Sequence, residues 1–463
     1  MEIVKQYNDF FSERKILFLL LAIEVPFLLY ITYYYSDYIY FFPLLVIGGL
    51  IFCYAIINEE FWLLSAILAN FPLMVIKTEG LSFLEIAGAT YIYLPLIIWF
   101  FKKIFIEKKT LFEDLADILF LVFYLTCIFS IVFTKIYDFN ILLWFKELAV
   151  FSGYLMFFPL RDYYRKNSSG LRNILIMFGI LSLMVGGYNL NLYRNKVILA
   201  TQFFQVWGSR VASTEQVFMF SVLVIISIIF LIKSKKIQFV LLCCLAIYFT
   251  ALVLSFTRSY FAFTLLGMFV IWLLFNKSDK MKMLFWIFGL TVIGLVAMYL
   301  LFGNLVKTIF EAFLNRFTVI KTRDISIIQR AIETKAILKQ IAENPILGWG
   351  LGAKFRRYDL FYETHILNYY AHNGYLYLWY KLGILGIVSY MIFYISQFYT
   401  TVKNAIYEKN IIKKNIFFVF SFILFSFTFI SITSPQFYHK PSILILSIIW
   451  GYGSAYKKKS LSQ

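Results

Sequence analysis

Stretches of about 20 apolar residues, the length that carries a helix across a bilayer, recur from one end of this 463-residue chain to the other. Hydrophobic residues make up 61% of it and charged residues 15%, whereas a soluble globular domain is roughly half apolar and a quarter charged. A soluble fold is therefore excluded. The expected fold class is an all-α polytopic membrane protein with about 14 transmembrane helices, within a range of roughly 12–14. The weakest division is Asn58-Glu59-Glu60, which alone separates the second span from the third. The first apolar run, Ile16 to about Tyr33, is long enough to span and lacks a small-residue cleavage site, so no cleavable signal peptide is expected.

The net charge of +18 invites a nucleic-acid reading, but membrane topology explains it better. Basic clusters occupy alternate loops: Lys102/Lys103/Lys108/Lys109, Arg161/Arg165/Lys166/Arg172, Lys233/Lys235/Lys236, Lys277/Lys280/Lys282 and Lys403/Lys409/Lys413/Lys414, with Lys5/Arg14/Lys15 and Lys457/Lys458/Lys459 at the ends. If the spans are counted correctly, all lie on one side, the cytoplasmic one, with both termini there. The four cysteines, Cys53, Cys127, Cys243 and Cys244, fall inside apolar runs without metal-ligand spacing and read as small buried hydrophobes.

The expected organisation is eleven spans over 1–302, a large extracytoplasmic loop over 303–372, and three more spans with a basic cytoplasmic tail over 373–463. All three histidines, His365, His372 and His439, fall on the outer side. So do Arg210, Arg258, Arg330, Arg356 and Arg357. Long loops escape the charge rule, so basic residues there point to anion binding. Within the loop, Ser326 and Gln329 fit a capping box. Ile328, Ala331, Ile332, Leu338 and Ile341 then recur at helical spacing, predicting an amphipathic helix over 326–343 that Pro345 stops. The stretch "NPILGWGLG" follows, with glycines for tight turns.

These residues carry a resemblance. "SIIQRAIETKAILKQIAENPILGWGLG" followed by "HNGYLYLWYKLGILG" resembles the signature region of the O-antigen ligase and O-antigen polymerase superfamily, and "SFTRSYFAF", with Arg258, resembles that family's Arg-bearing outer span end. The likeness covers about 255–263 and 326–386. One departure is Lys381, where the family often has an acid. The resemblance implies a GT-C-type glycosyltransferase whose donor is a glycan on undecaprenyl (polyprenyl) pyrophosphate. It also implies direct attack with inversion at the anomeric carbon.

The residues fit such chemistry. A pyrophosphate leaving group gains charge as its bond breaks, and arginine binds phosphate oxygens with a planar fork of donors. Arg258 and Arg330 are the expected pyrophosphate ligands, Arg210 a weaker third. His372 is the candidate general base, since neutral imidazole accepts a proton near neutral pH. Each has a plainer alternative: Arg258 as a snorkelling cation, Arg330 as part of a solvated helix face, His372 as an interfacial polar cap. Arg356, Arg357 and Tyr369 read as headgroup or sugar contacts, with surface solvation an equal alternative for the arginines. The loop acids, Glu333 among them, form no Asp-x-Asp-like cluster, so a metal-independent reaction without cofactor is expected. Glu24, Glu85, Lys146, Glu147 and Lys381 should face the bundle interior, with Lys146 and Glu147, adjacent on a helix, pointing apart toward different partners.

The function expected is a surface-polysaccharide polymerase of the bacterial inner (cytoplasmic) membrane, acting on its periplasmic face. It would join one lipid-linked repeat to the hydroxyl of another, among membrane lipids, with a chain-length regulator as a possible partner and no nucleic acid. A ligase to lipid A-core or protein is the second reading. A flippase or transporter of the same lipid-linked oligosaccharide is the rival of another class, disfavoured because no internal repeat is evident.

Overall fold

The computed structural model describes residues 15–33, 41–76, 83–197, 214–303, 305–318, 325–360 and 362–461. In chain order the first helices are α1 (Lys15–Tyr33), α2 (Phe41–Ile57), α3 (Glu59–Leu68), α4 (Asn70–Val75) and α5 (Phe83–Phe101), the last running on as a π-helical turn to Ile106. Next come α6 (Leu115–Ile136), α7 (Ile141–Ser152), α8 (Phe157–Lys166), α9 (Gly170–Val197), α10 (Glu215–Ile229), α11 (Lys235–Leu254), α12 (Arg258–Leu274) and α13 (Lys277–Phe302). The segment between α13 and the last three helices holds α14 (Leu305–Thr318), α15 (Ile325–Glu343) and the strands β1 (Phe355–Asp359) and β2 (Thr364–Asn368). Helices α16 (Gly374–Tyr407), α17 (Ile411–Ile430) and α18 (Lys440–Leu461) complete the chain. Several apolar runs begin at a side-chain cap: Asn58, Asp114, Asn140, Asn373 and Asn410 each accept a hydrogen bond from a first-turn N–H.

Every stretch read as a span is helical over most of its described residues. By length and hydropathy, 7 helices among the described residues can cross a membrane: Phe83–Ile106, Leu115–Ile136, Ile141–Lys166, Gly170–Val197, Lys235–Leu254, Gly374–Tyr407 and Ile411–Ile430. Helix α15 spans Ile325–Glu343, so Ser326 lies inside it rather than capping it. The departure from an all-α fold is the antiparallel β1–β2 hairpin, in register Arg356↔Leu367, Arg357↔Ile366 and Tyr358↔His365. Phenylalanine, tyrosine, threonine and isoleucine on these strands favour the extended chain, and Phe355 is fully buried.

The described chain forms two compact units, 1–111 with 158–185, and 112–157 with 186–463. In the first, Lys103 is buried among carboxylates, 2.9 Å from Glu107, 3.2 Å from Asp162 and 3.8 Å from Glu59. Hydrogen bonds from Lys109 and Lys103 pull the Glu107 carboxyl down to about 2. Glu24 and Glu85 are buried as expected, and Glu24 lines an otherwise mostly apolar cavity of about 460 Å³.

The second unit is built on α16, which packs along α6, α17 and α18. Its centre is aromatic: the Tyr154 and Tyr390 hydroxyls meet at 2.7 Å, and Tyr390, Phe393 and Phe437 pack about Trp450 and Phe123. Helix α16 is broken at Gly383, whose φ of 67° is left-handed. In an unbroken helix the Ile384 N–H would bond to the Tyr380 carbonyl. Here it donates to Pro345 and Ile346 instead, at 3.0 and 3.1 Å. The Tyr380 and Lys381 carbonyls accept from Trp349 and Gly350 N–H, both at 2.9 Å. The glycine turn after α15 thus replaces the hydrogen bonds that the break removes. A Cβ on Gly383 would overlap the Ile346 carbonyl, and one on Gly348 would fall 2.8 Å from the Lys381 carbonyl.

A buried ion pair secures the same turn. Lys381 Nζ lies 2.9 Å from Glu147 Oε1 and donates to the Ala353 carbonyl at 2.7 Å, while Gly352 N–H donates to Glu147 Oε2 at 2.7 Å. Thr134 Oγ1 donates to the Leu351 carbonyl at 2.6 Å. Both charges are almost fully buried.

Two outcomes are expected from thermal unfolding in detergent. Gly383→Ala should cost at least about 1–3 kcal/mol, the scale of a non-glycine residue forced into a strained backbone. Lys381→Met, which strands a buried carboxylate, should cost about 3–5 kcal/mol, and adding Glu147→Leu should recover part of the loss. An unshifted Lys381→Met protein would show that the pair does not hold the turn.

Candidate active site

The turn delivers the chain from α15 into the hairpin, and the hairpin returns it to the start of α16. Gln329 on α15 stitches the two together, donating to the Tyr358 carbonyl and accepting from Leu360 N–H, each at 2.9 Å. One helical turn on, Glu333 is 3% exposed. Its Oε1 accepts the His372 backbone N–H at 2.6 Å, and His372 Nδ1 lies 3.1 and 3.0 Å from its two oxygens. Arg357 on β1 sits 3.6 Å from the same carboxylate and 3.2 Å from Asp359.

The sequence "AHNG" is explained locally. Asn373 caps α16, its side chain accepting from Tyr375 and Leu376 N–H at 3.0 and 3.1 Å. His372 is thereby held one residue outside the helix, partly exposed at 36%.

Tyr370 borders the same ring. Its ring meets His372 edge-on at 5.3 Å, and its hydroxyl lies 3.3 Å from His439 Nε2, which is also 3.3 Å from Ser434 Oγ. Burial pushes the Tyr370 phenol up from its ordinary value. Glu333, Glu215 and Arg330 are all within electrostatic reach of that phenol.

The Arg258 end joins the same region. Arg258 opens α12 directly after Thr257, whose hydroxyl donates to Glu215 at 2.7 Å. Tyr260, one turn into α12, donates to Gln436 Oε1 at 2.5 Å. Gln216 and Ser442 also meet that oxygen, at 3.3 and 2.9 Å. Tyr260 lies near Glu215 and Tyr370.

The expected residues therefore divide. Arg330 and Glu333 lie one turn apart on α15 and are both within electrostatic reach of Tyr370, whose ring meets His372, while Thr257, the residue before Arg258, donates to Glu215. Arg357 turns inward to carboxylates rather than outward to headgroups. Arg356 and Tyr369 are exposed. Arg210 lies outside the described residues. His365 meets Tyr358 edge-on at 5.4 Å. Sequence reasoning missed Glu333, Glu215, Gln436 and His439. Glu333 had a signal, since it stands three residues after Arg330 and shares its helix face.

Residues 239–391 match the family model described as O-antigen ligase. Over this segment the chain is similar to that family. The match takes in about a third of the chain, including Arg258, Arg330, Glu333, the hairpin, His372 and the Gly383 break, and it agrees with the resemblance read from the motifs. Members of this family are glycosyltransferase-like enzymes, ligases or polymerases, that act on lipid-linked glycans. A comparison with curated proteins gives no match.

Gln436 is the acceptor on which the α10, α12 and α18 contacts converge. Gln436→Leu should leave the Tyr260 hydroxyl and Gln216 amide buried without it, at about 1–3 kcal/mol each. A thermal midpoint unchanged from the parent protein would contradict that role.

Proposed function

We propose that this protein is a surface-polysaccharide polymerase of the O-antigen type, which transfers a glycan from polyprenyl pyrophosphate to the hydroxyl of a second lipid-linked repeat. The observation that carries the reading is the convergence on one cluster of a half-exposed imidazole, His372, and the helix bearing Arg330, with the Arg258 helix start beside Glu215. His372 is the base that takes the acceptor's proton. The acceptor oxygen bonds to the anomeric carbon as the bond to the pyrophosphate oxygen breaks. The electron pair leaves on the pyrophosphate, and the proton stays on the imidazole until it passes to water. Direct displacement inverts the anomeric centre.

Arg258 and Arg330 meet the charge growing on the leaving group. Such positioned donors typically contribute about 3–4 kcal/mol each to the barrier. The reaction draws its driving force from the donor, so it needs neither nucleotide nor metal. A polytopic protein of about 14 spans with its site on the periplasmic face fits the charge pattern. The Lys103 network fits the span count, because it joins Glu59, Glu107 and Asp162, from three span ends that the alternation puts on the cytoplasmic side.

Ligation to lipid A-core is the second reading, favoured by the description of the matching family. Donor chemistry is shared, so only the acceptor separates the two.

Purified protein given a defined lipid-linked repeat should make longer chains without nucleotide or added metal. Product only on addition of a lipid A-core acceptor would select the ligase, and movement across a bilayer without bond formation would select a transporter. His372→Ala should abolish product at normal protein level; full activity would remove the base. Arg258→Lys and Arg330→Lys should each lose about 10²–10³-fold in turnover, nearly as much as alanine, because lysine cannot offer a two-pronged contact.

A further inference from the structure

We infer that Glu333 is the positioning residue of this site, holding the His372 ring in the tautomer that carries its proton on Nδ1 and so keeping Nε2 as the acceptor. The inference rests on the reading of His372 as the base and goes beyond it, since neither the family match nor the motifs assign Glu333 a role.

Three contacts support it. An ionised carboxylate only accepts hydrogen bonds. Both Glu333 oxygens lie within 3.1 Å of Nδ1, so that nitrogen must be the one bearing hydrogen. The His372 backbone N–H donates to the same carboxylate at 2.6 Å, so one group fixes both the chain and the ring. Glu333 is 3% exposed, which keeps water from replacing it. Arg357, itself anchored by Asp359, lies 3.6 Å away and offsets the carboxylate's charge. A neutral imidazole free in water modestly prefers its proton on the other nitrogen, which would leave Nε2 a donor and useless as a base. The partner of one ring nitrogen decides the state of the other. Tyr370 meets the ring edge-on at 5.3 Å. His372 Nε2 makes no hydrogen bond among the described residues, so it is the nitrogen left for the acceptor.

The decisive substitution is Glu333→Gln. Glutamine has one carbonyl and one amide. With its carbonyl on the His372 backbone N–H, its amide faces Nδ1 and demands an acceptor there. The proton is then driven to Nε2, with the same shape and volume preserved. Turnover should fall about 10²–10⁴-fold, with the KM for the lipid-linked donor and the thermal midpoint close to the parent's. Glu333→Asp, which keeps the acceptor, should recover part of the activity.

A second readout does not depend on activity. The chain has only 3 histidines, so ¹⁵N labelling of the imidazoles gives few signals, and His372→Ala assigns the one of interest. The parent protein should show His372 protonated on Nδ1 and bare on Nε2, and Glu333→Gln should show the reverse. Near-normal turnover in Glu333→Gln, or a parent ring protonated on Nε2, would overturn the inference. An active His372→Ala protein would instead remove the base itself. If Glu333→Gln fails to fold, the parent's ring signal decides alone.

Discussion

The site depends on a break in a helix. Helix α16 is interrupted at Gly383, and an interrupted helix inside a bundle exposes carbonyls and N–H groups that nothing in a hydrocarbon layer can satisfy. The glycine turn at 344–352 supplies the missing partners, and it does so by exchange: Ile384 N–H goes to Pro345 and Ile346, while Trp349 and Gly350 N–H go to Tyr380 and Lys381. The turn and the broken helix each complete the other, so neither can shift alone. The Glu147–Lys381 pair adds a charged lock to the same joint. Lys381 is thus explained as a structural cation, although the related family often has an acid there.

From that joint the rest is set by short connections. The turn fixes the end of α15, hence the face that carries Arg330 and Glu333. The hairpin that follows is tied back to α15 through Gln329 and brings Arg357 to Glu333. The chain re-enters the bundle at Asn373, whose cap places His372 one residue outside. Charges that would be costly in the hydrocarbon are gathered into one polar cluster, bounded by the α10 and α12 starts and the Ser434–His439 loop. Such a cluster can receive an anionic leaving group and remove a proton, the two demands of glycosyl transfer from a pyrophosphate.

Much of this was legible in the sequence where the signal is local. The span positions followed from apolar length, the helix before Pro345 from periodicity, and the turn from its glycines. The Arg and His candidates were read from motif order and the sidedness expected of the loops, and their roles belong to the proposal. What was illegible is mostly long-range. Glu147 and Lys381 are 234 positions apart, and adjacency on a helix gave only that Lys146 and Glu147 point apart. Glu215, Gln436 and His439 sit in different helix starts and loops, and no spacing rule connects them. The hairpin was hidden because its five-residue strands give too short an alternation beside the neighbouring helices. Glu333 was counted among loop acids because its meaning comes from the ring it holds.

The central claim is that Arg258 and Arg330 close on one pyrophosphate beside His372. The most direct test is a cryo-EM structure of the protein in a lipid nanodisc with a non-hydrolysable lipid-pyrophosphate glycan. The account predicts the pyrophosphate within hydrogen-bonding range, about 3 Å, of both guanidinium groups, with His372 Nε2 facing the anomeric carbon from the opposite side. A pyrophosphate bound away from either arginine, or an imidazole turned from the sugar, would contradict it.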